Sequence, residues 1–375
     1  MKVTQISYNC DSDLRDPDAL LARYETMVGW AEALTGAGAR VTVVQRFPGE
    51  AVRTHRGVTY RFVPSPNADA CRLATPSDVV HVHGMIFGRQ TWMLRRGLPE
   101  VSAMVLQNHG SLPPQHRGWL GIRGVAQRTM LGAGDAFLFA ALEQGDAWRQ
   151  AGLVRAEQSI YGVVSASSAF VPVARDQARA VLGIEGEPAM LWVGRLNANK
   201  DPMTVLEGFE RVLPDLPRAS LTMIYGDAEL RPHLERRLAA SAALGARVRL
   251  VGPVPHQQLP LFYSAADLFV VGSHYEGSGF SLIEALACGL TPVVTRIPSF
   301  RAITGESVGA LWTPGDADDC ARALRAVHGR AQADDRRRVR AHFERSLSWA
   351  AIGQRAVEVY RDVSARRRAR IRVLH

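Results

Sequence analysis

Residues 267–289 read DLFVVGSHYEGSGFSLIEALACG, and this stretch decides the fold class. It begins with a short apolar run that is typical of a buried strand. A turn containing glycine follows, and from about Phe280 the pattern becomes that of a helix. Two glutamates, Glu276 and Glu284, lie on either side of this change, the first on the loop and the second inside the helix. A strand, a turn and a helix in this order form one βα unit of a parallel sheet.

The same alternation of short apolar runs and longer helical stretches continues along all 375 residues. Several runs are apolar on both faces, as strands are when helices cover both sides of the sheet. The chain is too long for one ordinary core. The sequence therefore predicts an α/β fold with two Rossmann-like, doubly wound parallel-sheet domains that face a cleft.

The stretch LGIEGEPAM, residues 182–190, has the composition of a hinge, because its glycines, proline and acids precede a new strand. We therefore expect an N-terminal domain at 1–187 and a C-terminal domain at 188–345. Residues 346–375 are predicted to form a basic helical segment that packs back across either domain.

Composition excludes several classes of protein. The hydrophobic fraction of 47% and the charged fraction of 22% are those of a soluble globular protein. The N-terminus shows no signal peptide and no apolar run approaches the ~18 residues of a membrane span, so we expect a cytoplasmic protein. The four cysteines form no CxxC pair, which argues against a zinc site. The net charge is +9, but no nucleic-acid-binding motif is present, so nucleic acid is not an expected partner.

The helix from about Phe280 is predicted to bind an anion. Gly277 and Gly279 allow a tight turn and leave room for a ligand before the helix. The first N–H groups of the helix lack internal partners and carry the positive end of its dipole, which suits phosphate. Glu284 lies about one turn further on and leans back toward that end, so its carboxylate suits a vicinal diol such as ribose.

A second loop, in the sequence LWVGRLNANKDP at 191–202, offers two cations. The strand ends near Gly194, and Arg195 follows it toward the cleft. Asp201 has the position of an N-cap with a proline after it, and Lys200 precedes that cap. Lys200 is notable because the chain has only one other lysine, Lys2. A guanidinium and an ammonium together could hold a diphosphate leaving group without a metal.

These residues carry a resemblance to a known family. Gly194-Arg195 with Lys200, and Glu276-x7-Glu284 inside EGSGFSLIEALACG, closely resemble the retaining GT-B glycosyltransferases of the glycogen synthase and mannosyltransferase-like group, glycosyltransferase family 4. The resemblance covers nearly the whole second domain, and the first domain matches less tightly, through DVVHVHG and LQNHG. It implies transfer of a sugar from a nucleotide-diphosphate sugar to an acceptor hydroxyl, with retention and with no metal or cofactor. The acceptor would be a sugar or a lipid-linked acceptor in bacterial cell-surface glycan or glycolipid synthesis.

The resemblance also implies a role for each residue. Arg195 and Lys200 would hold the diphosphate and assist its departure, and Glu284 would hold the ribose. Glu276 and His109 would contact the donor sugar, and with the two cations they are the expected catalytic residues. The remaining expected donor contacts are Gly194, Val254 beside the base, and Gly279, Phe280, Ser281 and Leu282 around the helix start.

Three features leave alternatives open. Acids at Asp11, Asp13, Asp16 and Asp18 replace the small residues that the family often has after the first strand, and they fit either a solvated acidic turn or a loop that contacts the acceptor. The segment 115–131 mixes arginines with apolar residues, and it fits either a helix with one face packed or a peripheral contact with the anionic inner face of a membrane. A zinc site from His81, His83 and His109 is disfavoured, because His81 and His83 would occupy interior positions of a strand.

The whole-protein alternative is a catalytically silent GT-B subunit that binds a nucleotide sugar or a partner. A glycoside hydrolase also uses two carboxylates, but these must face one bond at ~5–9.5 Å. Glu284, inside a helix and directed at a phosphate site, fits ribose binding better.

Overall fold

A computed structural model of the chain describes residues 1–72, 77–99, 101, 103–112, 122–305, 308–328 and 332–374. The chain forms two compact units. Unit 1 comprises Met1–Ala166 and Trp349–His375, and unit 2 comprises Ser167–Ser348.

Unit 1 is built on a mostly parallel sheet. Its strands are β1 (Lys2–Ser7), β2 (Arg40–Arg46), β3 (Ala51–His55), β4 (Val58–Val63), β5 (Val79–His83), β6 (Ala103–Gln107), β7 (Ala136–Phe139) and β8 (Ser159–Gly162). Its helices are α1 (Pro17–Arg23), α2 (Glu25–Gly36), α3 (Ala68–Arg72), α4 (Gly88–Gly97), α5 (Ile122–Leu131), α6 (Leu142–Gln150) and α16 (Trp349–Leu374). The strand order is β3-β4-β2-β1-β5-β6-β7-β8.

Unit 2 has a parallel sheet with the order β11-β10-β9-β12-β13-β14. Its strands are β9 (Ala189–Gly194), β10 (Ser220–Tyr225), β11 (Val248–Gly252), β12 (Leu268–Val271), β13 (Thr291–Thr295) and β14 (Ala310–Trp312). Its helices are α7 (Arg175–Leu182), α8 (Pro202–Val212), α9 (Arg231–Ala239), α10 (Ala242–Arg247), α11 (Leu259–Ala265), α12 (Phe280–Ala287), α13 (Pro298–Thr304), α14 (Ala317–His328) and α15 (Gln332–Ser346).

The units divide after residue 166, earlier than the predicted boundary after residue 187. The reason is that α7 is tied to the core of unit 2. The Asp267 carboxylate, buried at the start of β12, accepts from Arg175 Nε at 2.9 Å and from Arg179 Nη2 at 2.7 Å. Arg179 Nε also donates to the carbonyl of Ala265 at 2.9 Å. The glycine-rich stretch is therefore a loop within unit 2.

The C-terminal helix α16 packs on α2 of unit 1. A Cβ on Gly353 would lie 2.2 Å from the carbonyl oxygen of Ala33, so this approach requires glycine. Arg367 Nη1 donates to Asp135 at 2.7 Å, and Tyr161 donates to Asp362 at 2.5 Å. The basic segment, predicted from residue 346, therefore begins as a helix at Trp349 and belongs to unit 1.

The strand that the apolar pattern misses is β3. It pairs antiparallel with β4 through a two-residue turn at Arg56 and Gly57, both with positive φ. Most residues of β3 are exposed, which is why the sequence shows no apolar run there.

Among the residues described, no helix combines the length and the apolar character needed to cross a bilayer.

Candidate functional site

The predicted donor residues lie where the strand order of unit 2 reverses. From β9 the chain proceeds outward through β10 and β11, and then returns to place β12 on the other side of β9. The loops after β9 and β12 therefore leave the sheet side by side at its carboxyl edge. In doubly wound sheets, ligands bind at this crevice.

Hydrogen bonds join these two loops. The side-chain amide of Asn199 donates to the carbonyl of Tyr275 at 3.0 Å and accepts from the N–H of Tyr275 at 3.1 Å. The N–H of His274 donates to the carbonyl of Asn199 at 2.8 Å. A Cβ on Gly272 would lie 2.8 Å from the carbonyl oxygen of Asp201, so the loops approach closely only with glycine there. Together they position Lys200 and Glu276.

Asp201 caps α8, as its sequence position predicts. Its carboxylate accepts from the N–H of Thr204 at 3.2 Å, and Pro202 is the first helical residue. Its φ of 40° is in the left-handed region, which non-glycine residues adopt at a cost. A side-chain cap and a proline fix the start of the helix, and with it the turn that carries Lys200.

Lys200 forms an ion pair with Glu276, between Nζ and Oε1. Both side chains are largely buried, with exposed fractions of 12% and 14%. Gly194 lies beside this pair, because a Cβ on it would be 3.6 Å from Cδ of Lys200. Arg195 is exposed, and within the described parts of the chain its guanidinium has no hydrogen bond or ion pair. The loop thus presents one paired and one available cation.

The predicted anion site lies at the start of α12. Gly279 has a φ of 62°, and a Cβ there would lie 2.6 Å from the Phe300 ring, so both conformation and space require glycine. The first helical N–H to reach a carbonyl four residues back is that of Ile283, to Gly279 at 3.1 Å. The earlier N–H groups at Phe280 and Ser281 stand at the positive end of the helix. Leu282 is buried and anchors the turn.

Glu284 is a buried carboxylate rather than a solvated one, since the residue is 9% exposed. Its Oε2 accepts from the Tyr263 hydroxyl at 2.9 Å, and its Oε1 lies 2.8 Å from Nε2 of His256. Burial, together with the adjacent Glu284, raises the pKa of Tyr263 well above its usual range, so this phenol stays a neutral donor. Val254, the expected neighbour of the base, is half-buried two residues before His256.

Sequence reasoning missed Tyr263 and His256. The signal for Tyr263 was available, because a tyrosine in the apolar helix LPLFYSA must find a partner for its hydroxyl once it is buried. His256 gave no such signal. It follows β11 in an ordinary loop, and its contact with Glu284 spans 28 positions in sequence.

His109 is the one predicted catalytic residue that belongs to unit 1. It is exposed after β6, and its Nε2 lies 3.2 Å from Nδ1 of the buried His83. His81 lies two residues before His83 on β5. Its Nδ1 accepts from the Tyr360 hydroxyl at 2.7 Å and from Trp30 Nε1 at 3.1 Å. Burial lowers the pKa of His81 to about 3, and it lowers that of His83 well below its usual value. These histidines are therefore neutral, and no metal-binding group occurs among the residues that the structure describes.

The acidic loop has structural roles. Asp16 caps α1 by accepting from the N–H groups of Asp18 and Ala19, and Asp11 accepts from the N–H of Asp13 at 3.1 Å. Asp18 pairs with Arg53 at 3.2 Å. These contacts favour the solvated acidic turn. The arginine-rich segment lies partly outside the described residues, and α5 is the part of it that the structure shows.

Comparison with known proteins finds a matching family model and similar sequences. Residues 174–340 match the family model of the glycosyl transferases group 1. A D-inositol 3-phosphate glycosyltransferase of Streptosporangium roseum is 31% identical over 206 residues, which cover 52% of this chain and 47% of that protein. D-inositol 3-phosphate glycosyltransferase 1 of Catenulispora acidiphila is 27% identical over 343 residues, which cover 85% of this chain and 81% of that protein. The matched region thus spans about half of the first relative and most of the second.

Solved structures of similar fold cover nearly the whole chain. Sucrose-phosphate synthase from Thermosynechococcus elongatus has a TM-score of 0.67 at 23% identity, over 97% of this chain and 99% of that one. An Anabaena protein in complex with UDP and glucose has a TM-score of 0.67 at 16% identity, over 96% of this chain and 100% of that one. These likenesses confirm the predicted GT-B fold. Residues 174–340 are thus similar to the glycosyl transferases group 1 family.

Proposed function

We propose that the protein is a retaining, metal-independent glycosyltransferase that moves a sugar from a nucleotide-diphosphate sugar to an acceptor hydroxyl. The observation that carries this proposal is that Lys200, the start of α12 and the buried Glu284 carboxylate follow β9 and β12 at the switch point of unit 2. Lys200, Arg195 and the start of α12 supply positive charge there, and Glu284 supplies the acceptor oxygens.

The diphosphate would replace Glu276 as the partner of the Lys200 ammonium. In the structure the ammonium of Lys200 is paired with Glu276. A phosphate carries more negative charge than one carboxylate, so it competes for the ammonium, and the guanidinium of Arg195 adds a fork of donors. Glu276 is then released at the same place and accepts a hydrogen bond from a hydroxyl of the donor sugar. One binding event thus fills the phosphate site and creates the sugar site.

Charge stabilisation would be the main catalytic effect. When the glycosidic bond to the diphosphate breaks, negative charge grows on the leaving oxygen, and fixed cations and helix N–H groups lower the energy of that state. In the retaining mechanism that we propose, the leaving diphosphate takes the proton of the acceptor hydroxyl on the same face of the sugar. His109 of unit 1 is proposed to contact the donor sugar.

The acceptor and the site of action are further parts of the proposal. We infer a sugar or lipid-linked acceptor in cell-surface glycan or glycolipid synthesis, with the protein in the cytoplasm and peripheral to the anionic inner face of the membrane. The surface of α4 and α5 supports this, since Met93 and Val125 are 56% and 59% exposed there, beside the exposed Arg89, Arg96 and Arg128. Apolar and cationic side chains together favour anionic lipid.

A thermal-shift panel of UDP, GDP and ADP and their sugars tests the donor site. We expect one base to raise the melting temperature by several degrees, and the rise to persist in EDTA because no metal is needed. A rise that EDTA abolishes would contradict metal independence. Turnover of the stabilising nucleotide sugar then separates the enzyme from a silent GT-B subunit, which would bind the donor without consuming it in the presence of acceptors.

A further inference from the structure

The two donors that hold the Glu284 carboxylate differ in exposure. Tyr263 is fully buried in α11 and donates to Oε2. The side chain of His256, on the short turn after β11, is 46% exposed while its Nε2 contacts Oε1. One donor is therefore fixed in the core, and the other stands at the surface.

A ligand can reach the Glu284 carboxylate from the side on which His256 lies. The Glu284 side chain is 12% exposed, and Tyr263 covers Oε2 from the core. A ligand that approaches from solvent therefore meets Oε1. An imidazole N–H and a sugar hydroxyl are both hydrogen-bond donors to a carboxylate, so they compete for this oxygen.

The ring of His256 contacts an aromatic side chain as well as Glu284. Its ring lies 4.8 Å from that of Phe170, with an interplanar angle of 41°. Phe170 is in turn 6.2 Å from Tyr263, and its carbonyl accepts from Arg340 Nη1 at 3.1 Å. The hydrogen bond that this partly exposed ring makes to Glu284 is one that a ligand of equal hydrogen-bonding capacity can replace.

We infer that His256 is a specificity-determining residue of the donor site, which occupies Oε1 of Glu284 while no donor is bound and yields it to the 2′,3′-diol of a nucleotide ribose. The inference rests on the proposed function, since it requires that Glu284 bind the ribose. Tyr263 stays on Oε2 and keeps the carboxylate oriented. The apparent dissociation constant then exceeds the intrinsic one, because only the molecules in which His256 has left Oε1 are competent to bind.

Calorimetric titration with two matched nucleotides tests this inference. The ligands are the nucleoside diphosphate that binds best among UDP, GDP and ADP, and its 2′,3′-dideoxy analogue. We expect His256→Ala to tighten binding of the ribonucleotide about threefold to tenfold, which is the range of one net hydrogen bond, and to leave the dideoxy analogue unchanged. His256→Gln keeps an N–H donor and should bind like the wild type. His233→Ala, at an exposed position on α9, is the control and should change neither constant.

A second variant tests the hydrogen bond that Tyr263 donates to Glu284. Tyr263→Phe removes the hydroxyl and keeps the ring, so we expect it to weaken ribonucleotide binding about tenfold while the dideoxy analogue is little affected. Melting temperatures measured first establish that each variant is folded.

Equal changes for both nucleotides, or weaker binding of the ribonucleotide by His256→Ala, would overturn the inference and leave the donor site in place. If the wild type binds none of the three nucleoside diphosphates, the proposed function fails, and the inference fails with it. The two failures are thus distinguishable from the wild-type titration alone.

Discussion

The carboxyl edges of the two sheets differ in whether their ionisable side chains are charged. In unit 2 the edge carries charged groups, Lys200 with Glu276 and Glu284 with its two donors, in partly accessible positions. In unit 1 the edge leads inward to His81 and His83, which burial keeps neutral. A site for a charged ligand needs groups that exchange partners, whereas a buried cluster on a sheet needs groups that avoid charge.

The largest expected effect comes from removing the ammonium group of Lys200. We expect Lys200→Ala to lower kcat about 100-fold or more, because in the proposed mechanism its ammonium stabilises the negative charge on the leaving diphosphate. Initial rates with saturating donor measure it. Lys2→Ala changes the only other lysine and should keep wild-type rates. Wild-type turnover by Lys200→Ala would remove Lys200 from the mechanism.

The packing of α16 offers a way to weaken unit 1 alone. Gly353→Ala places a methyl group against the carbonyl of Ala33, so we expect unit 1 to lose about 1–3 kcal/mol of unfolding free energy. Gly36→Ala is the matched control in α2, because a Cβ there meets nothing within 4 Å. Hydrogen exchange resolved by peptide should show faster exchange in unit 1, and unchanged exchange in β9–β14. Equal loosening of both units would contradict an effect confined to unit 1.

The neutral histidines predict a stability that depends on pH. The pKa of His81 is about 3 in the folded chain, below the ordinary value near 6.5, so the unfolded chain binds more protons between these values. The contribution of neutral His81 to the free energy of unfolding is fully present above pH ~6.5. It is lost as the pH falls toward 3, by up to about 1.4 kcal/mol per pH unit. Urea unfolding of unit 1 at pH 7 and pH 5 measures it.

His81→Asn is the variant for that test, since its amide still accepts a hydrogen bond but does not titrate. We expect a flatter pH dependence than in the wild type. His55→Ala alters an exposed histidine of β3 and should keep the wild-type slope. An unchanged slope in His81→Asn would assign the effect to other groups.

The smallest expected effect concerns the cap of α8. Asp201→Ala removes the bond to the Thr204 N–H and should cost about 1 kcal/mol, whereas Asp201→Asn keeps an acceptor and should cost less. Equilibrium unfolding of unit 2 compares the two. Equal losses would mean that the negative charge of Asp201, beside His274, matters more than the cap.

Local features of the site could be predicted from the sequence, and features set by distant contacts could not. The starts of α8 and α12 follow from Asp201, Pro202 and Gly279, whose conformational preferences act within a few residues. The partner of Lys200 is 76 positions away, and that of Glu284 is 21 or 28 positions away. The units divide before the predicted boundary for the same reason, because α7 is held by Asp267, which directly precedes β12.

The return of α16 to unit 1 has a consequence for synthesis of the chain. Unit 2 lies between the two segments of unit 1, so the ribosome releases all of Ser167–Ser348 before Tyr360 emerges. Until then Trp30 and His81 lack the phenol that joins them, and α2 lacks the helix that covers it. Unit 2 is therefore expected to fold first during translation, and the N-terminal segment that precedes it is completed last. A chain cut after residue 348 would retain all of unit 2 but would lack the helix that completes unit 1.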